Sequence, residues 1–199
     1  ELFGEYEKVD EEIFDLIKFD NKYSKQSRSY KYIADLFDRN FEKTELIEAV
    51  EVLKSWDLHT DYDNESAALG VCVLSNEWIS EQGQRIPQDP EKSLEDCIQE
   101  MKSTYGKLTP KWSERNFIVR GDKKVSVQGG PDVLRAIYGR NDEEGDLKAS
   151  GGDGLYIHVS WDSNGIQESK SIHQYGSATQ NQLSKHYDDA IKKCNSYKF

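Results

Sequence analysis

The sequence predicts an α+β protein, helical in its first half, with antiparallel strands and a hairpin in its second. Three observations carry this expectation. Apolar residues recur with helical spacing through residue 107. After Thr109-Pro110 they alternate in short runs broken by Gly and Asp. Aromatic residues make up 11% of the 199-residue chain, enough bulky apolar surface to argue against disorder despite 32% charged residues. That length suffices for one unit with a real core, and no repeat or linker divides it. We therefore expect a single unit, 1–107 mainly helical and 108–199 strand-rich.

The elements follow in order. Ile13, Phe14, Leu16 and Ile17 after Asp10 predict a short amphipathic helix, and residues 30–37 another. Leu46, Ile47, Val50 and Leu53 predict a helix with one buried face. Residues 65–79 are apolar around most of a helical circumference, which predicts burial on nearly all sides and apolar exposure or self-association if that cover is missing. The clearest helix spans 90–105: Asp89 caps it, Pro90 suits its first position, and Leu94, Cys97, Ile98, Met101 and Tyr105 share a face. Residues 117–120 and 124–127 flank Gly121-Asp122 as two strands around a turn. Residues 141–154, rich in Gly, Asp and Glu, predict an exposed loop. Leu155, Ile157, Val159 and Trp161 alternate with Tyr156, His158 and Ser160 in a half-buried strand. Asp162-Ser163-Asn164-Gly165 turns it into a hairpin partner over 166–175. Residues 187–193 predict a last short helix, with Ser184 as its cap.

Charge and spacing exclude several functions. A formal net charge of −11 disfavours nucleic acid, because phosphate binding needs clustered Lys and Arg. No apolar run approaches membrane-spanning length. The first residues lack a basic start, an apolar stretch and an initiator Met, which predicts a chain excised or processed from a longer one. Cys72, Cys97 and Cys194 form no CxxC pair, and an odd number gives no disulfide framework; Cys72 and Cys97 are expected as small core residues. The acidic run over 57–65 lacks the Gly and Glu of a calcium loop, counted from Asp61, so its carboxylates are expected to support the start of the next helix. His158 and His173 are expected to face each other across the hairpin, as packing rather than metal ligands. Ser184, His186 and Asp189 are adjacent in sequence, whereas a triad converges from separate elements. No spacing calls for a metal or cofactor.

Four ordered segments nevertheless resemble the penicillin acylase family, in its acyl-homoserine-lactone and cephalosporin acylase branch. Leu53-Lys54-Ser55-Trp56-Asp57 with Asp63 and Ala67-Ala68 resembles its L-x-x-W-D … D-S-x-A-A segment. Val119-Arg120-Gly121-Asp122 with Gly129-Gly130-Pro131-Asp132-Val133-Leu134-Arg135-Ala136-Ile137 resembles its RGD … GG-x-D-T-L-R segment. Ser171 to Gly176-Ser177 resembles S-I-x-x-x-G-Q-S, with Ser177 where Gln is common. Ser184-Lys185-His186-Tyr187-Asp188-Asp189 resembles S-P-H-Y-x-D-Q, with Lys for Pro and Ala190 for Gln.

The resemblance implies the carboxy-terminal part of the large subunit of an amidase that cleaves the N-acyl group of a penicillin, cephalosporin or acyl-homoserine lactone. Such enzymes are four-layer αββα amino-terminal-nucleophile hydrolases. A self-cleaving precursor frees a Ser whose own α-amino group is the general base, and an Asn helps to form the oxyanion hole. It implies that Ser and Asn lie upstream, that no catalytic residue is present here, and that no cofactor is needed. Trp56, Asp57, Arg120, Gly121, Gly129, Gly130, Asp132, Gly176, Ser184, His186, Tyr187 and Asp189 are then family-motif residues with structural roles. The implied partners are the small subunit, the rest of the large subunit and a small amide substrate, in the periplasm or outside the cell. The competing reading is a non-catalytic acidic interaction module.

Overall fold

The computed structural model describes Gly4, residues 6–173 and residues 181–187. Helices fill the first half: α1 (Glu11–Lys18), α2 (Arg28–Ala34), α3 (Thr44–Ser55), α4 (Ala67–Gln82) and α5 (Pro90–Tyr105). Strands fill the second: β1 (Asn116–Arg120), β2 (Lys123–Ser126), β3 (Ile137–Asn141), β4 (Leu147–Gly152), β5 (Leu155–Asp162) and β6 (Gly165–His173). The mixed α+β class is as expected. No helix among the described residues is long and apolar enough to cross a membrane.

The capping chemistry of α5 explains its bounds. Asp89 accepts from Glu91 N–H, Pro90 opens the helix, and Gly106 closes it at φ 68°. At α4 the expected carboxylate support is replaced by an amide. Asn64 Oδ1 accepts the N–H groups of Ser66 and Ala67 at 3.0 and 2.9 Å. Asp57 instead accepts from Asn64 Nδ2 at 2.8 Å, Asp61 from Asn21 Nδ2 at 2.8 Å, and Asp63 pairs with Lys111. The acidic run therefore organises its own loop.

From Ala67 to Leu74 every residue of α4 except the half-buried Cys72 is buried, with Trp78 half-buried and Ile79 exposed. Its cover comes from α2, α3 and α5 of this same chain, and Ile79 is its exposed apolar residue. Gly70 is where α4 meets Trp56: a Cβ there would overlap the indole ring. Cys72 on α4 and Cys97 on α5 are not separate core thiols. They form a disulfide, with Cα atoms 5.9 Å apart. Two helices packed side by side bring together cysteines that sequence spacing alone does not relate.

The strands form two sheets. The larger has the order β2-β1-β4-β3, with β1–β2 and β3–β4 antiparallel and a short parallel ladder between β1 and β4. Residues 147–152, expected as loop, are strand β4. The Gly- and Asp-rich run contributes only the turn over 142–146, where Asp142 Oδ1 accepts from Glu144 and Asp146 N–H. The β5–β6 hairpin makes a separate two-stranded ribbon. Its buried face is the opposite of the one the alternation predicts. Tyr156 is buried against Phe19 and His158 lies against Phe14, while Leu155, Ile157 and Trp161 are exposed. Nor do the two histidines face each other: His158 is opposite Lys170, and His173 is opposite Leu155.

The disulfide closes a loop between positions 25 residues apart in sequence, which in the chain-entropy account stabilises by about 3 kcal/mol. Thiol titration of the unfolded, unreduced protein should find at most one free thiol per chain, that of Cys194, and three after reduction. The Cys72→Ala/Cys97→Ala variant should lose about 3 kcal/mol in a denaturant titration. Three free thiols before reduction would remove the bond from the account.

Candidate functional site

Trp56, Asp57, Gly129, Gly130 and Asp132 gather at the junction between the helices and the sheet. Gly129 lies at φ 93°, where a Cβ would strike the Arg135 carbonyl. Its own carbonyl accepts from Trp112 Nε1 at 2.9 Å and from Asn116 Nδ2 at 3.2 Å. Its N–H points to Thr60 O at 3.4 Å. Next in the chain, Gly130 N–H donates to Arg135 O and Gly130 O accepts from Ile137 N–H, which closes a small loop. Tyr23 Oη donates to Pro131 O at 2.6 Å. Burial, and then the nearby Asp132 carboxylate, hold the Tyr23 pKa well above its ordinary value, so it stays a donor. Asp132 takes φ 62°, an uncommon but tolerated conformation for Asp. On the helical side, Trp56 Nε1 donates to His59 O at 2.9 Å, and Asp57 Oδ1 accepts from His59 N–H at 3.0 Å.

The second convergence is smaller. Gly121 turns the β1–β2 hairpin at φ 53°, and a Cβ there would strike Tyr187 Oη and Gln182 Nε2. Tyr187 is buried, so the segment over 181–187 rests on the turn through this close approach. Ser184 Oγ accepts from His186 N–H at 3.2 Å, a local turn. Arg120 lies at the end of β1. Gly176, Asp189, Ser177 and the helix expected over 187–193 lie outside the described residues, Tyr187 excepted.

A cleft of about 760 Å³ opens between α4, α5 and strand β3. Trp78 stacks on Tyr138 across it, ring centres 5.1 Å apart, and the disulfide forms part of its wall. It is the natural candidate for binding a small molecule, and its Ser hydroxyls are already hydrogen-bonded within the chain. Ser75 Oγ donates to Val71 O in its own helix, and Ser93 Oγ is hydrogen-bonded to Tyr32. Glu100 accepts from Arg115 Nη2 at 2.6 Å and from Asn141 Nδ2 at 3.0 Å. The remaining Arg115 donors, Nε and Nη1, are closed off from solvent, so they are not offered to a ligand in the cleft.

Two other polar clusters are paired internally. Asp142, Glu144 and Asp146 come close enough to share a cation. The Lys124 ammonium already pairs with Asp146 and Glu144 there, and its own pKa is raised by Asp146. Arg135 donates to Asp153 at 3.2 Å and to Tyr156 Oη at 2.7 Å, and Tyr156 also donates to Asp153. Desolvation raises the Tyr156 pKa above its ordinary value. Trp112, Asn116 and Tyr23 are the structural residues sequence reasoning passed over; a Trp whose lone N–H needs a partner once buried is a signal that could have found the first.

Comparison with known proteins adds no relative: no protein-family model matches the chain, and no curated protein matches it.

If the Gly129 carbonyl is the hub, Trp112→Phe should lose about 2 kcal/mol through its donor and ring volume. Trp78→Phe, which keeps a ring on Tyr138, should lose under about 1 kcal/mol. Equal losses in urea titrations would remove the special role of the indole N–H.

Proposed function

We propose that this chain is the carboxy-terminal part of the large subunit of a penicillin-acylase-like amidase, where it braces the scaffold and does no chemistry. The carrying observation is how its motif residues are used. Trp56, Gly121, Gly129, Gly130 and Tyr187 serve tight turns and close packing. A motif shared for architectural reasons would look like this, and the resemblance assigns these residues no catalytic role. Among the described residues the Ser hydroxyls of the cleft donate to or share hydrogen bonds with neighbours.

On this reading the parent supplies the amino-terminal Ser, its α-amino base and the oxyanion Asn from other segments. Attack on the amide carbonyl gives an acyl-enzyme and releases the amine, and water then releases the acid. This chain contributes helices and late strands to an αββα sandwich. The Cys72–Cys97 bond favours an oxidising compartment, in keeping with a periplasmic or secreted enzyme. The exposed apolar face of the β5–β6 ribbon favours the second reading, a non-catalytic interaction module.

The two readings part on one experiment. The full reading frame is expressed and its subunits are sequenced from their amino termini, with acyl-homoserine lactones and phenylacetyl amides as substrates. The acylase reading expects a processed subunit beginning with Ser, amine release by the parent, and none by the 199-residue chain alone. An unprocessed, inert parent, or turnover by this chain alone, would contradict it.

A further inference from the structure

The β5–β6 ribbon has one face committed and one edge open. Tyr156 and His158 pack toward α1, through Phe19 and Phe14. Glu11 on α1 lies 3.9 Å from His158 and 3.6 Å from Lys170. The outer side of β6 has no neighbouring strand among the described residues, and every residue from Gly165 to Ser169 is exposed. An exposed edge presents unpaired N–H and C=O groups that accept another extended strand.

The order of residues along that edge selects the strand. β6 reads Gln167-Glu168-Ser169-Lys170-Ser171. Antiparallel pairing of two β6 edges about a two-fold axis at Ser169 sets Glu168 of one copy opposite Lys170 of the other, twice. Opposite charges directly across an antiparallel pair are favourable and like charges are not. A parallel pairing in register would set Glu168 against Glu168 and Lys170 against Lys170. Within one chain Lys170 Nζ lies 3.0 Å from Glu168 Oε2, so the two charges stand together on one face of the ribbon. Gln167 and Ser171, flanking this charge pair, fall opposite each other and are polar without charge.

We propose that the outer edge of β6 is a homodimer interface, closed by antiparallel β6–β6 pairing about Ser169 with reciprocal Glu168–Lys170 contacts. A two-fold axis makes such an interface self-complementary and closed, so assembly stops at two. The ladder is about five residues long, which places it among small, weak interfaces and makes association concentration-dependent. The inference concerns this chain as it stands and does not depend on the acylase reading.

Sedimentation equilibrium of the 199-residue chain, from about 10 to 500 µM, tests it. The weight-average mass should rise with concentration from 22.9 kDa toward twice that value. Glu168→Lys sets like charges across the axis and should weaken association at least tenfold. Glu168→Lys/Lys170→Glu restores opposite charges and should recover it to within about threefold. Trp161→Ser, on the open apolar face, should leave it unchanged. A monomer at all concentrations overturns the proposal. So does a dimer indifferent to Glu168→Lys, or one that Trp161→Ser alone dissolves, because association would then use another surface. Far-ultraviolet circular dichroism of each variant separates lost association from lost folding.

Discussion

The carbonyl of Gly129 is the point on which the two halves of this fold depend. Apolar contact between them is limited, through Leu147 of β4 against the helical cluster and the Trp78–Tyr138 stack. One buried cluster lies among the helices and includes Trp112, and a second of Ile118, Val127, Ile137 and Ala149 lies within the sheet. Between them run segments with little regular structure, whose polar backbone groups need partners once buried. Trp112 and Asn116 both donate to Gly129 O, so a residue of the helical core and a residue of the sheet hold the same atom. Around it Thr60, Tyr23 and Arg135 complete a set of backbone and side-chain bonds that reaches back to the loop after α1. Only a residue at home at positive φ lets the chain turn this tightly there.

This arrangement explains why the motif residues include Gly121 and Gly129, which serve packing rather than chemistry. Gly70 lets Trp56 lie on α4, Gly121 lets Tyr187 lie on a hairpin turn, and Gly129 lets the Arg135 strand entry pass close by. Each is a place where one backbone accepts a large neighbour at short range. The cleft between α4, α5 and β3 is a consequence of the same design: the layers are tied at the junction and by Glu100, Arg115 and Asn141, and stand apart between those ties.

The helices were legible because their signals are local. Asp89, Pro90 and Gly106 mark α5 at both ends, and the apolar circumference of 67–74 marks a buried helix. What escaped was decided by distant partners. Cys72 and Cys97 meet only because α4 and α5 lie side by side. Residues 147–152 become strand because β1 and β3 flank them, despite glycines that read as loop. Alternation along β5 identified a strand, but not which face would be covered; the cover is α1, whose Phe14 and Phe19 meet Tyr156 and His158. The candidate site was legible as a set of motif residues and illegible as a junction, because Trp112, Asn116 and Tyr23 belong to no motif.

Native-state hydrogen exchange on Gly129→Ala tests the account most directly. The added Cβ meets the Arg135 carbonyl at φ 93°, a strain of about 3 kcal/mol. If this carbonyl couples the layers, amides in α4 and in β1 should lose protection together and by the same factor. Protection lost in β1 while α4 stays at its original level would contradict it, and would make the helical layer and the sheet independent.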